Sequence, residues 1–130
     1  MLVVDASVLG PALVDDTPAG DSARARLRGH ALVAPELIDL EVVSVLRRQL
    51  LAGVLDARRA ELALADLLEL PLRRVSHLRL LSRCWELRHN LTVYDAAYVA
   101  LAEVLGLVLV TGDARLSTSP GLRCDIDLLT

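Results

Sequence analysis

The sequence predicts an α/β fold, a three-layer sandwich in which a central, mainly parallel sheet lies between helices. Three observations carry that expectation. Short runs of strand length alternate with longer helical segments. Most of the runs are apolar at every position instead of every second one, as in strands covered on both faces. The chain of 130 residues is 54% hydrophobic, with a mean hydropathy of +0.47, which suits a buried sheet. It reads as one domain over residues 1–130, without repeats, linkers or low-complexity segments.

The elements follow in order. Leu2-Val3-Val4 is a first, central strand, and it meets a carboxylate at once, so the N-terminus reads as a strand and not as a signal peptide. A short helix is expected from Ser7 to just before Asp15-Asp16. Thr17-Pro18 supplies an N-cap with proline at the first helical position, and the helix runs to about Gly29. Ala31–Ala34 is the second strand. Pro35 opens a long helix to Leu51 that stops at Gly53, and Asp56 caps another through Glu69. Pro71 begins a strand at Leu72–Val75. Ser76 caps a helix that Asn90 ends, and Thr92 caps one that Gly106 terminates. Leu107–Val110 and Arg123–Leu128 complete the sheet, with Ser117–Gly121 a plain loop between them.

Composition narrows the function classes. No apolar run approaches the roughly 18 residues of a membrane span, so no membrane association is expected. Cys84 and Cys124 make no disulfide framework and no CxxC, consistent with a reducing cytoplasm. The net charge is −3, and all 14 basic residues are arginine. Arginine suits bidentate phosphate contact, yet most of the clusters read as solvated faces. His30, His77 and His89 fall at helix ends or in loops, as caps or surface groups, so no His/Cys metal set competes with oxygen ligands.

Four acids stand out. Asp5, Glu41, Asp95 and Asp113 each interrupt or end a strongly apolar segment, where carboxylates are rare unless paired or metal-bound. Asp5 and Asp113 follow strands, at the carboxyl edge where such sheets bind ligands. Each acid also has an ordinary role open to it. Asp5 could cap a helix, although Ser7 could do so instead. Glu41 could pair with Arg48, but its helix looks apolar nearly all round, and Leu37, Ser44 and Val45 share its face. Asp39 reads as a solvated helix-start charge. Asp95 could serve the helix N-terminus, but its stripe with Tyr98, Val99 and Ala102 should face the sheet. Asp113 could cap a short helix after Thr111-Gly112. Like charges about 4 Å apart repel by roughly 4 kcal/mol per pair at an effective dielectric near 20, so four together need protons or a cation. Oxygen-only ligation favours Mg²⁺ or Mn²⁺. A phospho-receiver module, the other acidic-pocket α/β class, would want a lysine that this chain lacks.

Four segments carry a family resemblance: Val3-Val4-Asp5-Ala6-Ser7, Pro35-Glu36-Leu37 leading to Glu41, Tyr94-Asp95-Ala96-Ala97-Tyr98-Val99-Ala100-Leu101-Ala102, and Leu109-Val110-Thr111-Gly112-Asp113-Ala114-Arg115-Leu116. In order and spacing they resemble the PIN-domain nucleases, and most of all the VapC toxins of VapBC toxin–antitoxin modules. Gly112 is a small departure, where a bulkier residue is common. The resemblance implies a PIN-like fold and a Mg²⁺- or Mn²⁺-dependent endoribonuclease. Asp5, Glu41, Asp95 and Asp113 would be its metal-binding, catalytic acids, with Ser7 and Thr111 in support. Water would attack in line, leaving 5′-phosphate and 3′-hydroxyl ends on the RNA, and translation and growth would be inhibited. Arg115 is the nearest candidate for substrate phosphate, with Arg47/Arg48 and Arg79/Arg83 as rim groups. Aromatics are only 2% of the chain, so base stacking is not expected to dominate. The resemblance also implies a homodimer and a VapB-like antitoxin; Val8, Leu9, Leu13 and the Leu50–Leu55 region could receive an apolar antitoxin segment. The alternative is a nuclease-inactive PIN-like domain that binds RNA or protein.

Overall fold

The computed structural model describes residues 1–130. Five strands, β1 (Leu2–Val4), β2 (Leu32–Pro35), β3 (Leu72–Val75), β4 (Leu109–Thr111) and β5 (Ile126–Leu128), form one sheet in the order β3-β2-β1-β4-β5. Every pairing is parallel, with Val3 opposite Val33 on one side and Leu109 on the other. β1, β2 and β4 are buried along their whole length, which is why their sequences are apolar at every position.

The chain begins in the middle of the sheet, builds outward through β2 and β3, then returns to place β4 and β5 on the opposite side of β1. The order therefore reverses between β1 and β4. In open α/β sheets, the crevice beyond the strand ends at such a reversal is where ligands bind.

Seven helices flank the sheet: α1 (Ala6–Val14), α2 (Pro18–Leu27), α3 (Leu37–Leu51), α4 (Ala57–Glu69), α5 (Leu81–Glu86), α6 (Val93–Leu105) and α7 (Ala114–Thr118). α6 packs on β1, β2 and β4, and Ala96 through Ala102 are all buried there. Thr92 caps α6, its hydroxyl accepting from the Asp95 N–H at 3.2 Å, and Gly106 closes it at φ +65°, in the left-handed region that favours glycine. Asp56 caps α4 through the Arg59 N–H.

Several sequence expectations need correction. Pro35 closes β2 and does not open α3. The helix expected from Ser76 to Asn90 is only a 3₁₀ turn at Leu78–Leu80 followed by the short α5. Ser117 and Thr118 belong to α7, so the plain loop is shorter than expected. α3 is not buried on most sides: Ile38, Val42 and Leu46 form its one buried stripe, and Leu40 stands 76% exposed. Asp39 is not a free charge. It receives the Arg74 guanidinium at 3.0–3.2 Å, and the same guanidinium reaches the carbonyls of Leu67, Leu70 and Leu72. Arg74 thereby ties β3 to α3 and to the end of α4. Val8 and Leu9 lie in the core, while Leu50, Leu51 and Val54 are exposed. Only the second half of the apolar surface suggested for an antitoxin is therefore available. Cys84 and Cys124 are both free thiols. No helix is long and apolar enough to cross a membrane.

Candidate active site

Asp5 sits directly after β1, and its side chain caps α1 by accepting from the Ser7 N–H at 3.1 Å. Ser7 is therefore inside the helix, and the cap role that might have freed Asp5 belongs to Asp5 itself. The carboxylate is 6% exposed, and two hydroxyls satisfy it. Ser7 Oγ donates to Oδ1 and Thr111 Oγ1 donates to Oδ2, each at 2.5 Å. The direction of those bonds is fixed from behind. Ser7 Oγ accepts from the Gly112 N–H at 2.8 Å, and Thr111 Oγ1 accepts from the Asp113 N–H at 3.1 Å. Two parallel relays thus run from the backbone after β4 to the two oxygens of Asp5, clamping β1 and β4 together at the reversal point. A Cβ on Gly112 would lie 3.4 Å from Ser7 Oγ, an ordinary van der Waals contact, so the turn has room for the bulkier residue common at this position.

Glu41 projects from α3 and is half-buried. It makes no bond to Arg48; its partner is Tyr98, whose Oη donates to Oε1 at 2.5 Å. Tyr98 is only 2% exposed, so a residue of the α6 stripe that sequence reasoning treated as sheet packing positions an acid. The available signal was the phenol itself, because a buried tyrosine hydroxyl wants a partner. Asp95, on the first turn of α6, lies on the same side. Asp113 caps α7 through the Arg115 N–H and holds the Arg115 guanidinium at 2.7 and 3.1 Å. That guanidinium is mostly in solvent.

The electrostatics divide the four acids into three and one. Burial raises the pKa of Asp5 against the hydroxyl bonds that lower it, and the charge of Asp95 raises it further. Burial also raises Glu41, with Asp95 and Asp5 adding to the effect. Asp95 is raised by burial and by the charge of Asp113, with Arg115 opposing. Asp113 is lowered, chiefly by its bonds to Arg115. The carboxylates are thus near enough to feel one another. They do not form a ready ligand cage, since no three of the chain's His, Cys, Asp or Glu side chains are gathered tightly enough to hold one ion. The donor set still fits a hard cation in kind. It consists of carboxylates and hydroxyls only, and three of its acids are raised by burial and, to a lesser degree, by neighbouring carboxylates, both of which a bound cation would offset.

Of the rim arginines, Arg83 is committed elsewhere, to Glu103 at 2.7 Å and Glu86 at 3.0 Å. Arg47, Arg48 and Arg79 are exposed.

A parallel sheet of this order, with an acid-lined reversal point, defines the class of the protein. A sequence model of the PIN domain matches residues 2–121, and the chain belongs to the PIN-domain family. Within that family it falls among the VapC ribonucleases. It is 42% identical over 128 residues to Ribonuclease VapC1 of Mycobacterium tuberculosis, covering 98% of this chain and 96% of that one. It is 38% identical over 129 residues to Ribonuclease VapC12 of the same organism, covering 99% of each. Among solved structures, M. tuberculosis VapC20, described as a sarcin-ricin loop cleaving toxin, superposes with a TM-score of 0.71 at 19% identity, over 90% of this chain and 93% of that one. VapBC2 of Rickettsia felis, solved bound to a DNA fragment from its promoter, matches at the same TM-score and 11% identity, over 99% and 98%.

Proposed function

We propose that this protein is the endoribonuclease toxin of a type II toxin–antitoxin module, hydrolysing RNA phosphodiesters with Mg²⁺ or Mn²⁺. The observation that carries the reading is the buried Asp5, held by two hydroxyl relays at the reversal point and flanked by Glu41 and Asp95. Whole-length identity to proteins named as VapC ribonucleases supports it.

Asp5, Glu41 and Asp95 would hold the cation, with Asp113 joining when Arg115 lets go. Such an ion lowers the pKa of a bound water and offsets charge on a scissile phosphate. Ser7 and Thr111 keep both Asp5 oxygens in one orientation. Tyr98 does the same for Glu41. Arg115, exposed and adjacent, would meet substrate phosphate once released from Asp113. Nothing in this scheme needs a nucleophilic side chain, so water would be the attacking group and 5′-phosphate ends the product. A VapB-like antitoxin would cover the acidic edge, a homodimer is the expected assembly, and the free cysteines suit the cytoplasm.

The test uses the purified full chain freed of any partner protein. It should cleave RNA with Mg²⁺ or Mn²⁺ and stop on addition of EDTA. Asp5→Asn and Asp95→Asn should each lose more than the roughly 10–100-fold typical of removing an outer partner of a metal ligand, with an unchanged circular dichroism spectrum. Variants as active as wild type would show that the site is misassigned. The looseness of the acid cluster favours one other reading, an RNA-binding PIN-like domain without activity. RNA binding that persists in EDTA, with no cleavage under any metal, would select it.

A further inference from the structure

We propose that the groove between α5 and the first turn of α6 is a stacking subsite for an unpaired nucleobase of the RNA, next to the phosphate being cut. The inference rests on the ribonuclease reading and adds to it how the strand is gripped.

The groove encloses about 500 Å³ and is lined almost wholly by apolar groups, with Leu37, Leu81, Trp85, Val93 and Tyr94 around it and His77 at its edge. That volume is within the range of pockets that hold small planar ligands. The chain has one tryptophan, two tyrosines and no phenylalanine. Tyr98 is buried under Glu41, but Trp85 and Tyr94 are 64% and 63% exposed. Both remaining aromatic rings of a chain with few of them are therefore in water, on the same groove. The other exposed apolar positions, such as Leu40, Leu51, Val54 and Leu68, are aliphatic. Protein interfaces also favour aromatic rings, so what favours a base here is that the two flat rings share a groove beside the acids, where a base recognised by its π-face would sit.

Position and charge point the same way. Tyr94 immediately precedes Asp95, and Leu37 lies one helical turn before Glu41, so a base in the groove would leave its phosphate beside the acids. Those acids repel RNA, and the groove offers a neutral hold at that edge. The Arg88 guanidinium lies 4.4 Å from the centroid of the Trp85 ring. A cation on one face of the indole leaves the other free for a base, and neither Arg88 nor the nearby Arg79 is spent on an ion pair among the salt bridges of the fold. Stacking is tolerant of base identity but requires the base to be unpaired, so the subsite would select single-stranded or looped RNA over duplex.

Because Trp85 is the only tryptophan, its fluorescence reports on the groove directly. The full chain in EDTA is titrated with a single-stranded oligoribonucleotide, the same strand carrying abasic sites, and the strand in duplex. The intact strand should quench the emission; the abasic strand and the duplex should not. Trp85→Leu and Tyr94→Leu should each weaken single-strand binding by about 5–150-fold, the span expected for one stacked base, and raise KM for cleavage far more than they lower kcat. Equal quenching by the abasic strand, or variants that bind as wild type does, would overturn the subsite. So would an emission that shifts to the blue with protein concentration alone, because the face would then be covered by a second copy. Failure of the ribonuclease reading is separately visible. Wild type that quenches normally but never cleaves with Mg²⁺ or Mn²⁺ sinks that reading and leaves the base site supported. Wild type that cleaves, with Trp85→Leu unchanged in KM, sinks the base site alone.

Discussion

Tyr98 and Glu41 form the one hydrogen bond that joins α6 to α3 across the acid edge. Removing the hydroxyl leaves a half-buried carboxylate without its donor, and bonds to charged groups are worth about 1.5–3 kcal/mol. Tyr98→Phe should keep the ring's packing, lower stability by up to that amount and reduce cleavage, with the loss partly recovered at higher metal concentration; melting curves and metal titrations check both. The three raised acids make a second residue-level prediction. Asp5, Glu41 and Asp95 bind protons more readily folded than unfolded. Between the ordinary carboxylate values and their raised ones, stability in the absence of metal therefore falls as pH rises. Asp113 behaves oppositely, because Arg115 lowers it: its contribution is present above the ordinary value and lost as pH falls through the depressed one. Asp95→Asn removes one charge from the repelling set. In EDTA it should melt higher than wild type at pH 8, with the difference shrinking toward pH 3. A variant that melts lower at pH 8 would show that Asp95 is compensated in the folded protein. Metal binding by wild type should weaken on acidification through the same interval.

Among the elements, β3 depends most on one side chain. Its middle positions are Arg73 and Arg74, poor strand formers for a buried sheet, and Arg74 resolves this by giving its guanidinium to Asp39 and to three backbone carbonyls. Arg74→Met would keep much of the stem's packing but leave Asp39 without a protein donor, while the Leu67 and Leu70 carbonyls keep backbone N–H partners. Because Asp39 is partly in solvent, the variant should lose about 0.5–1.5 kcal/mol in urea unfolding, the range of an ordinary hydrogen bond, with no change in cleavage per folded molecule. The sequence carried no sign of this clamp, since Asp39 and Arg74 are 35 positions apart and each reads as surface alone. The same limit explains the overestimate of α3. A helix written with leucine and valine on several sides looks buried, yet which stripe meets the core depends on where α1 and α4 lie. The short α5 failed for a different reason. Leu81 and Trp85 keep helical spacing but face a groove, and Leu78 stands 71% exposed, so no packing partner extends the helix. α6 was legible because Thr92, the alanine-rich buried face and Gly106 all agree.

The whole molecule made the acids legible as a set. Asp5 and Asp113 could be placed at strand ends from sequence because strand–acid junctions are visible in it, and the sheet order puts them at the reversal between β1 and β4. Their degree of convergence could not be read that way. The hydroxyls on Asp5, the Tyr98 bond to Glu41 and the Arg115 contact on Asp113 orient the carboxylates, and none of these is a pattern in the chain. The hydroxyl relays from Gly112 and Asp113 through Ser7 and Thr111 to Asp5 were equally out of reach, because they need β4 laid against β1. That pairing has a further consequence during synthesis. The first strand can complete neither its sheet edge nor its acid site until residues 109–113 have at least been made, and at about 5–20 residues per second this comes roughly 5–20 s after Asp5. Until that segment lies against β1, the acid site does not exist as a unit, however early Asp5 itself is made.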